Sequence, residues 1–220
     1  GDYAELEDGL WTHYAENGTP VMLQIDQEQS LVVLDETKIN DSKFIFNGRQ
    51  DSAIECNITY MLKGNKMGAT FFLENGEIKM DLSKETSSIT GTPNNDRYQH
   101  FLNKFNTIYS EIERVNGIMP EDSTSNKEEV SQLRAEINQL NKQADELIAN
   151  TIFENIDNPV GFYLLCRFNQ NLNAEQQEKA INKLPLSKRR TSVIEDLRAQ
   201  LSILPPDSID NDTIDFEEFQ

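Results

Sequence analysis

From Ala53 to Thr92, apolar and polar positions alternate. Ile54, Cys56, Ile58, Tyr60 and Leu62 are interleaved with Glu55, Asn57, Thr59 and Met61, and Ile78, Met80 and Leu82 with Lys79, Asp81 and Ser83. A period of two predicts strands with one buried face. A short glycine-rich turn separates the first strand from the phenylalanine-rich run ATFFL. Asn75-Gly76 then supplies two residues that accept positive φ cheaply, which predicts a type I′ hairpin between that run and the strand at 78–82.

Upstream, Leu10, Trp11 and Tyr14 suggest a first short strand, and Pro20 introduces another whose Val21, Leu23 and Ile25 share one face. LVVL (31–34), ETKI (36–39) and KFIFN (43–47) read as further short strands, separated by Asn40-Asp41-Ser42 and closed by Asn47-Gly48. No connection before Asn94 is long enough for a crossover helix, so the strands should be antiparallel. Short strands with frequent turn signals read as a sandwich or barrel.

After Gly91-Thr92-Pro93 the period lengthens to about 3.6 residues. Tyr98, Phe101, Leu102, Phe105, Ile108, Tyr109 and Ile112 form a helical stripe that ends near Asn116-Gly117. Beyond a polar stretch, Ser125 with Glu128 fits a capping box. Val130, Leu133, Ile137, Leu140, Ala144 and Leu147 then follow at alternating spacings of three and four, as in a heptad seam. Such a seam either packs within the chain or joins a second copy, so the protein is a monomer or a homodimer paired through Val130, Leu133, Ile137, Leu140 and Leu147. Asn158-Pro159, Asn173 with Gln176, and Ser192 with Glu195 mark three more helix starts. The fold class is therefore α+β: an antiparallel β-sandwich over residues 1–92, then a helical region over 93–220 with an acidic tail from Asp207 to Gln220.

Composition narrows the function. The chain has 220 residues, 37% of them hydrophobic, with a formal net charge of −18. So acidic a surface repels phosphate backbones and anionic lipid, which argues against nucleic acid as a partner. Lys188-Arg189-Arg190 reads as a solvated helix boundary. Cys56 and Cys166 fall in apolar-patterned surroundings and are expected to be buried free thiols. His13 and His100 are far apart, and no GxSxG, HExxH, phosphate-cradling loop or Cys-x-x-Cys occurs. The tail DSIDNDTIDFEE looks partly like an EF-hand loop, but Ile209 and Asp212 stand where a ligand and a glycine are needed. Catalytic, cofactor-binding and metal-ligating residues are accordingly none.

Three segments resemble a known family: LDETKINDSKFIFNGR (34–49), TFFLENGEIKMDLS (70–83) and ITGTPNNDRYQHF (89–101). They are similar to the module called domain of unknown function 4369. Such modules sit ahead of a thioredoxin-like domain in exported redox proteins and lipoproteins of Bacteroidetes. NPVGFYLLCRF (158–168) looks like the helical linker of those proteins. The redox cysteines of their thioredoxin-like domain have no counterpart here; TIDF (213–216) resembles only that domain's opening. The resemblance implies a non-enzymatic binding or scaffolding module of the cell envelope, exported by a removed signal peptide, with a lipid anchor ahead of Gly1. The alternative is a redox accessory that docks with a thioredoxin-like protein partner.

Overall fold

A computed structural model describes residues 3–5, 11–13, 15–27, 30–82, 87–120 and 127–203. The chain is α+β, with antiparallel strands first and helices after. It divides into two compact units, Gly1–Gly117 and Ile118–Gln220. The change of periodicity at 92/93 is real, since a helix begins at Pro93. That helix nevertheless belongs to the first unit.

The first unit is built on a four-stranded antiparallel sheet in the order β4-β3-β5-β6, from β3 (Pro20–Gln27), β4 (Ser30–Lys38), β5 (Ile54–Leu62) and β6 (Asn65–Leu73). Two short ribbons accompany it: β1 (Tyr3–Glu5) with β2 (Trp11–His13), and β7 (Lys79–Leu82) with β8 (Ser87–Thr90). Residues paired across an antiparallel ladder share a face. Val21 pairs with Tyr60, Leu23 with Ile58 and Cys56 with Phe71, so the alternation in the sequence becomes one apolar face. Ile89 of β8 is buried in the same core, and Met80 and Leu82 of β7 pack against it. Burial of this shared face, worth roughly 25 cal/mol per Å² of apolar surface, holds the unit together.

The turns differ from expectation. Asn75-Gly76 links β6 to β7, but these two strands do not pair, so there is no hairpin at that point. Gly76 has φ +141°, and Asn75 lacks the positive φ that a type I′ turn requires. The amide of Asn75 instead clasps the backbone of Gln50, accepting from its N–H at 3.0 Å and donating to its carbonyl at 2.6 Å. The two-residue I′ turn lies at Lys63-Gly64 (φ +50° and +82°), where Leu62 pairs with Asn65. Asp41-Ser42, with φ +48° and +60°, makes a second such turn, closed by the Asn40–Lys43 bridge.

Two further corrections concern β4 and the segment after it. LVVL and ETK form one strand, because a bulge opposite Leu23/Gln24 absorbs the break in alternation at Leu34. KFIFN forms no strand beyond the bridge at Lys43. Phe44 and Phe46 lie against the core as anchors of an irregular segment, and Ile45 points out.

α1 (Pro93–Gly117) packs on β8 and β6 within the first unit. Its stripe is an aromatic column in which Tyr98, Phe101, Phe105 and Tyr109 stack successively, with centroids 5.5–6.5 Å apart. Tyr98 also meets Phe72 edge-on at 5.5 Å.

The second unit holds α2 (Lys127–Glu154), α3 (Pro159–Phe168), a 3₁₀ turn at Asn169–Asn171, α4 (Ala174–Lys183) and α5 (Ser192–Ile203). The asparagine starts behave as the sequence implies. Asn158 accepts from the N–H of Val160 with Pro159 opening α3, and Asn173 and Gln176 form a complete capping box. The core of this unit is Ile148, Ile152, Val160, Leu164, Leu165, Ile181, Leu184 and Ile194. The seam residues Val130, Leu133, Ile137, Leu140 and Leu147 are half-buried on α2. Leu10, Tyr14, the Ser125 end of the expected capping box and the tail Asp207 to Gln220 lie outside the described residues.

Candidate functional site

The densest buried polar group of the first unit sits where β8 gives way to α1. Thr92, Asn94 and Asn95 are all buried there. Pro93 fixes the first helical position, so the next two side chains project back toward the end of β6. Asn95 accepts from the N–H of Phe72 at 2.8 Å and donates to its carbonyl at 2.7 Å and to Thr92 Oγ1 at 2.8 Å. A side-chain amide thereby takes the place of a fifth strand on the β6 edge.

The neighbouring residues repeat the arrangement. Both oxygens of Glu74 accept from Asn94, one from its backbone N–H at 2.8 Å and one from Nδ2 at 2.7 Å. This places a carboxylate at the positive end of α1, where the exposed helix N–H groups favour an anion. Asp96 accepts from Gly91 N–H and Gln99 from Ile89 N–H, each at 2.8 Å. These bonds join α1 to β6, to β8 and to the residues directly following those strands, with Asn95–Thr92 inside the junction itself, and the junction works as a clamp. Sequence reasoning missed Asn95 as its centre, although the Gly-Thr-x-x-Asn spacing was the available signal.

The thiols are not joined in a disulfide. Cys56 is completely buried in the sheet core, and that burial pushes its pKa up to about 11. The Glu55 charge acts in the same direction, and a bond with the Leu73 backbone opposes it only in part. A thiol held protonated is a poor nucleophile. Cys166 is half-buried on α3 rather than fully buried, and neither cysteine is in a disulfide. His100 is exposed on α1, and the side chain of His13 lies outside the described residues. Among the described residues, no group of three or more His, Cys, Asp or Glu is placed to hold a metal ion.

In the second unit the basic cluster is largely committed to its own helices. The Lys188 ammonium lies 4.6 Å from the centre of the Phe162 ring, and Arg189 Nε donates to the Leu184 carbonyl at 2.7 Å. On α2, burial raises the pKa of Asp145, while the Asn171 amide donating to it at 2.7 Å pulls the other way. One turn earlier, the side-chain oxygen of Asn141 is buried with no hydrogen-bond partner among the described residues. No helix among the described residues is long and apolar enough to cross a membrane.

Residues 9–98 match the family described as Domain of unknown function (DUF4369). Over those residues the chain is similar to DUF4369. The matched segment takes in the four-stranded sheet, the β7–β8 ribbon and the first turn of α1, including the Asn95 clamp. Neither the curated proteins nor the solved structures contain a match to the chain. The residues that carried the resemblance serve the architecture of the DUF4369 segment. Asp41 and Ser42 turn the chain, Phe44 and Phe46 plug the core, Asn75 clasps Gln50, and Thr92 with Asn95 locks β6 to α1.

Proposed function

We propose that this protein is a non-enzymatic binding or scaffolding module of the cell envelope, with a protein as its ligand. The observation that carries the reading is the use made of its buried polar side chains. Thr92, Asn94 and Asn95 clamp a strand to a helix, Gln24 accepts from Thr59 at 2.9 Å, and Asn155 bonds the end of α2. An active site needs polar groups left free to meet a substrate and shifted toward reactivity. Here, apart from the Asn141 oxygen on α2, they are taken up by backbone or by one another, and the shift at Cys56 runs away from reactivity. Placement in the envelope rests on the family resemblance alone.

The purified chain is expected to give no turnover in insulin-reduction, peroxidase, esterase and glycosidase assays. Turnover that disappears when one cysteine or one inward-facing carboxylate is changed to alanine would overturn the proposal. Fast labelling of native Cys56 by iodoacetamide would instead favour a redox role beside a thioredoxin-like partner.

A further inference from the structure

The two edges of the main sheet are treated differently. Phe72 on the β6 edge has both main-chain groups taken by Asn95. On the other edge, Ser30–Lys38 of β4 bonds only to β3, and among the described residues no backbone bond runs from it to another element. Along Ser30–Val33 its outward N–H and C=O groups have no partner among the described residues, whereas the Glu36 N–H donates to the Asp35 carboxylate. Leu31, Val32, Val33 and Leu34 are 50%, 37%, 49% and 44% exposed, a continuous apolar run on an otherwise acidic protein. Edge strands normally carry lysine or proline against such pairing, and β4 has a single lysine, Lys38 at its far end. The bulge at Leu34 divides the strand, leaving Ser30–Val33 as the straight half.

Charge selects the occupant. Asp35 and Glu36 follow the apolar run directly, and Asp26 pairs across the ladder from Leu31. All three are exposed, and none forms an ion pair among the described residues; Asp35 accepts only from the neighbouring Glu36 N–H. A second copy would bring another net charge of −18 against this edge, and the tail Asp207 to Gln220 is itself acidic. Both are repelled where a basic chain is attracted.

We propose that β4 is a docking edge for an extended polypeptide segment that alternates apolar with basic residues and adds to the sheet as a fifth strand. Main-chain pairing with Ser30–Val33 supplies the attachment, Leu31 and Val33 receive its side chains on one face and Val32 on the other, and Asp26, Asp35 and Glu36 select lysine or arginine. The inference rests on the binding-module reading and names the chemistry of its partner.

The test uses the full chain and a fluorescein-labelled ten-residue peptide alternating valine with lysine and threonine, read by anisotropy. A peptide with glutamate in place of lysine is the control. The basic peptide should bind at least about tenfold tighter than the acidic one, and raising salt from about 50 to 300 mM should weaken it several-fold. Leu31→Lys with Val33→Lys should lower its affinity about tenfold or more while leaving the thermal melt unchanged. Asp26→Asn, Asp35→Asn and Glu36→Gln together should cut the preference for basic over acidic peptide several-fold. Equal binding of the two peptides, or no binding by either, overturns the proposal. So does a wild-type dimer in sedimentation that the lysine pair dissociates, because the edge then belongs to a second copy. A chain ending at Ile203 that binds the basic peptide at least about tenfold tighter than the full chain also overturns it, since the tail would then be the occupant. Failure here with blank enzyme assays leaves the binding-module reading standing; turnover in those assays removes that reading whatever β4 does.

Discussion

Changing Asn95 to alanine tests the clamp at its centre. The substitution removes three hydrogen bonds at a residue that is 1% exposed. Two of them satisfy the N–H and C=O of Phe72, which is itself wholly buried. A buried main-chain group left unpaired costs about 1–3 kcal/mol, so the pair amounts to roughly 2–6 kcal/mol. Thr92 loses only an accepted bond and keeps its own O–H to donate, and alanine suits a helix slightly better than asparagine, which trims that figure by about half a kcal/mol. The expected loss is therefore about 3 kcal/mol, a drop of roughly 10 °C in the melting of the first unit. Urea unfolding followed by far-UV circular dichroism gives the magnitude. Hydrogen exchange at the Phe72 amide gives the location, because that N–H should lose protection first. Asn95→Asp separates polar pairing from volume. It keeps an acceptor for the Phe72 N–H but faces the Phe72 carbonyl with an oxygen, and it should destabilise more at pH 7 than at pH 3. A loss below about 0.5 kcal/mol with Phe72 exchange unchanged would refute the clamp, since neutral surface changes fall in that range.

Three further outcomes are expected. Gly76→Val should cost more than about 1 kcal/mol in a thermal melt, because φ is +141° and a Cβ there would sit 2.6 Å from Thr92 Cγ2; an unchanged melt would contradict that geometry. With the Cys56 pKa raised from 9.0 to about 11, an unfolded thiol ionises before the folded one, so the thiol's contribution is complete below pH 9 and is lost as pH rises toward 11. Cys56→Ala should flatten the fall in urea midpoint across that window, and identical profiles would refute the assignment. Burial raises the Asp145 pKa, so the folded protein prefers the protonated carboxyl, and this preference fades as pH rises past the ordinary carboxylate range. Asp145→Asn retains an acceptor for Asn171 and should be neutral near pH 3 and stabilising at pH 7; destabilisation at pH 7 would show that the charge itself is needed.

Much of this architecture is legible in the sequence because burial imposes a period. The face of β5, the stripe of α1 and the asparagine helix starts all follow from side chains that must turn inward or cap a local end. The misreadings share a cause, which is that pairing is a non-local choice. Asn75-Gly76 has the residues of a hairpin turn, but β7 pairs with β8, and the asparagine is used on Gln50. The type I′ turn is instead at Lys63-Gly64, within the glycine-rich turn that the sequence does show. The bulge at Leu34 breaks the alternation of one strand into what reads as two. Phe44 and Phe46 alternate as a strand would, yet they reach the core from a segment without a ladder. The clamp was the least legible part of the site. Asn95 is helical, polar and central, and only its position beside Phe72 distinguishes it from a solvated helix residue.

The strand order β4-β3-β5-β6 also sets a timetable. β3 with β4, and β5 with β6, are each neighbours in sequence, so both hairpins close short loops and can form within microseconds. Among the pairings of the main sheet, only β3–β5 spans the irregular segment that carries Phe44 and Phe46, and that longer closure is expected to be the slow step. Mutations in those two phenylalanines should therefore act on the folding rate, whereas loss of the Asn95 bonds, which need the finished sheet edge and a formed helix, should act mainly on the unfolding rate.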